Sequence, residues 1–323
     1  MKLVRRRFLR LAAGAAVLPA VTGIAGAQDY PSRPVRVIVC FPPGIAADIV
    51  ARLISGHLSE RIGQQFIVYN RPGAGGDMGV ETVVRAPADG YTLLLTTSGN
   101  TISASLDDNP RFNFVRDIAP VAMIGVSSYI MMANPAVPAK TLPEFIAYAK
   151  ANPGKINMAS PGVASGPHVV GELFKMTAGV DLVHVAYRTS FFPDLLGGQV
   201  QVAFGPVAQA LEFVKEGKLR AYGVTTKARL AILPDVPTIA EVLPGYEAAA
   251  WFGIGAPKAT PPEIISTLNS AINAAVDDPN IKARLASLGT ETKSMSPAEF
   301  GKFIGSEVEK WTKVVKFAAI KRA

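Results

Sequence analysis

The sequence predicts an α/β protein of two lobes, each a mixed, mostly parallel sheet flanked by helices. Three observations predict it: short apolar runs alternate with longer amphipathic ones, Gly/Pro corners separate them, and the alternation pauses once and then resumes with a second set. At 49% apolar composition over 323 residues, the chain has enough material to fill two cores.

The first strand is expected over 35–41, an apolar run interrupted only by Arg36 and closed by Pro42-Pro43-Gly44. A helix over 46–62 follows, because Ile49, Val50, Leu53, Ile54 and Leu58 recur at helical spacing. Strand 66–69, a Gly-rich corner at 70–76, a short helix to Arg85 and strand 92–97 complete a βαβαβ pattern, the signature of a parallel sheet. Two apolar runs, 121–125 and 129–133, read as strands. The second set then alternates helix 141–151, strand 156–159, helix 168–178, strand 182–185, helix 193–197, strand 200–204, helix 207–216 and strand 219–225. The Pro-rich stretch 233–237 and the segment 251–257 read as connecting structure, and three helices follow near 261–276, 279–288 and 297–318.

Residues 1–27 read as an export signal. Lys2, Arg5, Arg6, Arg7 and Arg10 stand without an acid, an apolar stretch follows, and Ala25-Gly26-Ala27 is a small-x-small cleavage site, so cleavage is expected after Ala27. The run Arg5-Arg6-Arg7-Phe8-Leu9-Arg10 also resembles a twin-arginine signal. The leader holds five of the eight net positive charges, so the remaining 296 residues carry about +3. With no basic block interleaved with aromatics, a nucleic-acid partner is not expected. Cys40 is the single cysteine, which excludes an internal disulfide, and its apolar neighbours indicate a buried thiol.

Catalytic chemistry finds few candidates. His57, His168 and His184 lack metal-ligand spacing, so no metal is expected, and no Gly-x-Ser-x-Gly elbow occurs. Gly73-Ala74-Gly75-Gly76-Asp77-Met78 fails the dinucleotide fingerprint because Met78 stands where the third glycine is needed, so no cofactor is expected. What remains is a pair of matching corners, Phe41-Pro42-Pro43-Gly44-Ile45-Ala46-Ala47-Asp48 and Ser160-Pro161-Gly162-Val163-Ala164-Ser165-Gly166-Pro167-His168. Each ends a strand-like run and opens a helix-like one, offering unpaired N–H groups and a positive dipole end to an anion.

Nine collinear blocks carry a family resemblance. They include Tyr30-Pro31-Ser32-Arg33-Pro34-Val35-Arg36, Phe41-Pro42-Pro43-Gly44 with Asp48, Asn70-Arg71-Pro72-Gly73-Ala74-Gly75-Gly76, Asp89-Gly90-Tyr91-Thr92, Asp194-Leu195-Leu196-Gly197-Gly198-Gln199-Val200 and Leu233-Pro234-Asp235-Val236-Pro237-Thr238. The chain resembles the Bug-type, TctC-like solute receptors of tripartite tricarboxylate transporters. The resemblance implies a type II periplasmic binding protein, a Venus flytrap that binds a small carboxylate without chemistry, acts as a monomer in the periplasm and delivers its load to transporter membrane subunits. The expected division is residues 28–125 plus 257–323 as lobe 1 and 126–256 as lobe 2, with the ligand cleft between them. An exported enzyme acting on carboxylates, or a ligand-loaded partner of a membrane sensor, are the competing readings.

The loops that match the family's binding loops contribute Phe41, Pro43, Gly44, Ile45, Ala46, Ala47, Asp48, Ser98, Gly99 and Asn100 from lobe 1. Lobe 2 contributes Ser160, Gly162, Ser165, His168, Tyr187, Arg188 and Phe191. Asp48 either caps its helix or orders waters at the ligand, and Arg188 either pairs with the ligand or lies in solvent. His184, inside an apolar run, reads as a hydrogen-bonded sheet residue. Relative to the family, Ile45 replaces a glycine, Ala47 a hydroxyl residue, and Phe191 and Phe192 small residues. These rings and Ile45 either touch an apolar or aromatic ligand body or pack in the core.

Overall fold

The computed structural model describes residues 30–106 and 112–321; the leader expected over 1–27 and its cleavage after Ala27 lie outside the described residues. Strand β1 (Val35–Val39) pairs in parallel with β2 (Phe66–Asn70) on one side and β3 (Thr92–Thr97) on the other. Parallel neighbours require crossovers, and helices α1 (Ala46–Ile62) and α2 (Asp77–Val84) supply them. Helix α1 buries Ala47, Val50, Ala51, Ile54 and Leu58 against this sheet and stops at Gly63, whose φ of 78° forms a left-handed cap. Ile49, expected on the same face, is exposed.

Beyond β3 lie two helices absent from the sequence expectation, α3 (Ser98–Ser105) and α4 (Phe114–Asp117). The runs 121–125 and 129–133 are parts of one strand, β4 (Ile118–Ala133). Up to Ser128 it pairs with β9 (Ala249–Pro257), and from Tyr129 onward it pairs with β7 (Val202–Pro206) and β8 (Arg220–Val224). This strand therefore carries the chain from the first lobe into the second. Segment 251–257, expected as connecting structure and assigned up to 256 to lobe 2, is instead a buried antiparallel strand between β3 and β4 in the first lobe's sheet. Its glycines hide it: a Cβ on Gly253 would lie 2.3 Å from Phe300 Cζ, and one on Gly255 2.6 Å from Ile118 Cγ2. Close approach, not strand propensity, selected those residues.

The second lobe is built on β5 (Asn157–Ser160), parallel to both β6 (Val183–Ala186) and β7. Helices α5 (Leu142–Ala151), α6 (Gly166–Ala178), α7 (Phe192–Gly197) and α8 (Val207–Lys215) accompany it. The chain then returns through β9 to α9 (Pro262–Asp277) and α10 (Pro279–Ser287), whose Leu268, Ile272, Val276 and Leu285 complete the lobe 1 core, and to the short β10 (Thr290–Thr292) against β4.

The last helix, α11 (Pro297–Phe317), serves both lobes rather than lobe 1 alone. Its Phe300 and Ile304 pack with Trp251 of β9, whereas Trp311 and Val314 enter the lobe 2 core. Between them the buried Glu307 accepts both indole N–H groups on Oε2, from Trp251 at 3.3 Å and Trp311 at 3.1 Å, with the Lys310 ammonium against its other oxygen. A buried carboxylate with three donors is satisfied, so this cluster fastens the two lobes along one helix.

Candidate functional site

A cavity of about 800 Å³ lies between the lobes, a size suited to a small organic molecule. Lobe 1 lines it with Phe41, with Ala74 and Gly75, with Asp77, Met78 and Glu81 of α2, with the start of α3, and with residues 112–115. Lobe 2 contributes the turn 163–166, and α11 contributes Val308.

Each lobe brings a helix N-terminus to this space. On lobe 1, Thr97 N–H donates to Asn100 Oδ1 at 2.8 Å, which fixes the first turn of α3. The amide groups of Ser98 and Gly99 in that turn find no acceptor among the described residues, as expected for a helix start. Gly99 lets Phe41 approach, since a Cβ there would stand 3.2 Å from Phe41 Cζ. A glycine in the first turn of α2 serves packing as well: a Cβ on Gly79 would sit 2.7 Å from Cys40 Sγ, so glycine lets α2 lie close against the end of β1. Burial pushes the Cys40 thiol up to about 12, which keeps it protonated and inert.

On lobe 2, Ser165 is the N-cap of α6: its Oγ accepts His168 N–H at 3.4 Å and donates to Gly162 O at 2.7 Å. Gly162 adopts φ 140° and Ala164 φ 60°, so the turn is tight and left-handed in part. Val163 and Gly166 N–H find no acceptor among the described residues. Gly166 lies under the Tyr129 hydroxyl, where a Cβ would come within 2.3 Å of the oxygen.

Of the expected contact residues, Phe41, Gly99, Asn100 and Ser165 line the cavity, and Ser98 and Gly162 flank its walls in the chain. Pro43, Gly44, Ile45 and Ala46 are exposed outside the lining, and Ala47 packs in the lobe 1 core. Asp48 is buried and accepts Gly44 N–H at 2.9 Å, Arg52 Nε–H at 3.0 Å and Asn70 Nδ2–H at 2.9 Å. Burial alone would raise its pKa, but the bonds from Arg52, Gly44 and Asn70 outweigh that and hold it at about 2. It is a fastener of the first corner.

Ser160 and His168 lie behind the second turn, and Tyr187 donates to Asp194 at 2.7 Å. Arg188 is exposed. Of the two placements left open for Phe191 and Phe192, ligand contact or core, the rings take the core, while Ile45 is exposed outside the lining. Phe191 is buried in the lobe 2 core and stacks on Phe192 at 4.8 Å, which stacks on Phe213 at 5.3 Å. The apolar wall comes from Met78, Leu106, Phe112 and Val115, which no local pattern in the sequence marked, and from Val163 of the second corner. Asp77 and Glu81 also line the space, and no Lys, Arg or His does so among the described residues.

Residues 50–320 match the model of the tripartite tricarboxylate transporter family receptor, TctC. Among solved structures, the chain is similar to Rpa4515 of R. palustris with adipate, at 33% identity and a TM-score of 0.75 over 91% of this chain and 99% of that one. It is similar to the periplasmic binding protein BugD at 31% identity and a TM-score of 0.72 over 91% and 100% of the two chains. It is similar also to MatC of Rhodopseudomonas palustris with bound malate, at 30% identity and a TM-score of 0.72 over 88% and 100%. With its two lobes, interlobe cavity and full-length likeness to these periplasmic binding proteins, the chain belongs to the tripartite tricarboxylate transporter receptor family.

Proposed function

We propose that this protein is an exported receptor that captures a small carboxylate with an apolar body between its lobes and hands it unchanged to a membrane permease of the tripartite type. The observation that carries the reading is that two turns with unpaired N–H groups, Ser98-Gly99 on one side and Val163 to Gly166 on the other, border a cavity without a cationic side chain among its described lining residues. Such a site attracts a carboxylate through backbone dipoles and satisfies it through hydrogen bonds. The adipate and malate in the related structures support the ligand class.

Magnitudes favour a distributed grip. Micromolar binding needs about 8 kcal/mol, and one helix N-terminus supplies roughly 0.3–2 kcal/mol, so two helix starts, bridging waters and apolar desolvation must act together. The wall of Met78, Leu106, Phe112 and Val115 favours a hydrocarbon body such as that of adipate over a short hydroxy acid such as malate. Thermal-shift screening of the mature protein against mono- and dicarboxylates of increasing chain length tests this, with mass analysis of the recovered acid. Stabilisation that rises with methylene number and an unaltered acid are the expected results; conversion of the acid would establish an enzyme, and a preference for malate would refute the apolar-body assignment.

A further inference from the structure

Two histidines stand directly behind the turn that lobe 2 presents to the cleft. His168, in the first turn of α6, and His184, in β6, stack ring on ring with centroids 3.6 Å apart and planes inclined by 15°. His168 Nδ1 accepts the N–H of Ala164 at 3.0 Å, and Ala164 is the residue held at φ 60°. His184 Nε2 lies 2.7 Å from Ser160 Oγ, which accepts Gly162 N–H at 3.3 Å and donates to Gly162 O at 3.0 Å. One imidazole thus grips each end of the turn. An accepting Nδ1 puts the His168 proton on Nε2, toward Glu172 Oε1 at 3.7 Å, and one proton joins Ser160 Oγ to His184 Nε2, on the side set by the His184 tautomer.

The geometry assigns His168 and His184 as positioning residues: stacked as neutral rings, they lock the Gly162-to-Gly166 turn in the conformation that lines the cleft. The inference deepens the proposed function and rests on it only for the statement that this turn grips a carboxylate. The charged groups facing the rings are Glu172 and Lys175 of α6, ion-paired at 3.0 Å, together with Asp181 ahead of β6 and Lys321 at the far wall of the adjoining space. Burial drives both rings toward neutrality, His168 to about 3 with help from His184 and Lys175, and His184 to about 4 with help from Lys175. A protonated Nδ1 cannot accept the Ala164 N–H. Because both folded pKa values lie below the ordinary histidine value, the lock is complete above pH ~6.5 and weakens as pH falls through the interval down to those values.

The test uses Asn and Gln at position 168. The amide oxygen of Asn reaches the place of Nδ1, whereas that of Gln reaches the place of Nε2, so His168→Asn restores the acceptor and His168→Gln does not. Hydrogen exchange of the Ala164 amide, normalised to its intrinsic rate, needs no ligand. Protection within about threefold of the wild type is expected in His168→Asn, loss of about tenfold or more in His168→Gln, and a wild-type loss as pH falls from 6.5 toward 4. Nitrogen-15 shifts should identify the Nε2–H tautomer of His168. Equal protection in both variants, or protection independent of pH, overturns the assignment. Adipate titration of the same proteins separates the two claims. If exchange follows the expected order and adipate affinity falls with it, both stand; if exchange follows the order while the wild type binds no carboxylate, the positioning role stands and the functional reading fails.

Discussion

The two corners that look alike in sequence, 41–48 and 160–168, do different work in the structure. Both end a parallel strand and open a helix. In the first, Asp48 folds back on Gly44 N–H and ties Arg52 and Asn70 to the same carboxylate, and only Phe41 reaches the cavity. In the second, the cap is the neutral hydroxyl of Ser165, and Val163, Ala164, Ser165 and Gly166 all line the cavity. The difference teaches that a Gly/Pro corner creates an anion socket only where no resident carboxylate already occupies the dipole end. In the proposed function the lobe 1 socket is instead the start of α3, where Thr97 and Asn100 cap each other without a charge.

The largest expected effect breaks the second corner. In Gly166→Ala the new methyl meets Tyr129 Oη, so the turn and Tyr129 must part at a cost of about 1–3 kcal/mol, and calorimetry should register a loss of carboxylate affinity of about ten- to a hundredfold. Gly44→Ala, the matching change in the first corner, meets nothing within 4 Å and suffers only its φ of 86°. It should lower stability by about 1 kcal/mol and leave affinity unchanged. Equal affinity losses in the two variants would erase the distinction between the corners.

Asp48→Asn sharpens the comparison through pH. The native carboxyl has its pKa near 2 against an ordinary 3.8, so the shift contributes about 2 kcal/mol of stability. Since the folded value is the lower one, that contribution is present above pH ~4 and disappears as pH falls toward 2. Denaturant titrations should therefore find the gap between wild type and variant widest near neutrality and closing in acid. Ligand affinity at neutral pH should not move.

How far these distinctions were legible in the sequence depends on where each signal resides. The βαβαβ start, the second α/β set and the C-terminal helices follow from local periodicity, so they could be read directly. Strand β9 could not, because Gly253 and Gly255 answer to Phe300 and Ile118, residues distant in the chain. Helix α3 was equally hidden: Ser98, Gly99, Asn100 and Thr101 are poor helix formers, and the helix depends on the Thr97 cap and on packing against α11. In the site, the corners announced dipoles but not occupancy, and the apolar wall is assembled from α2, α3, 112–115 and the lobe 2 turn, which share no sequence window.

A milder change tests the second corner's hydroxyl. Ser165→Ala removes the N-cap of α6 and a cavity-lining polar group together, so a stability loss of about 1 kcal/mol should accompany an affinity loss of about three- to tenfold. Thermal melts and calorimetry on one preparation separate the two. A stability loss with unchanged affinity would make Ser165 a cap alone and shift the grip to the Val163 and Gly166 amides.

The smallest expected effect is the most exposing for the comparison. Ile45 is 43% exposed and lies outside the cavity lining, although it opens the helix that sequence pairs with the ligand. Ile45→Ser removes apolar surface already in water, so stability should hold within about 0.5 kcal/mol and affinity within about twofold. A tenfold affinity loss would mean that the first corner swings into the cleft when the lobes close on ligand. In that event the Asp48 tether would be a hinge restraint released on binding, and Asp48→Asn would alter affinity as well as stability. Measuring both variants against the same acid therefore decides whether the two corners differ in kind or both reach the ligand.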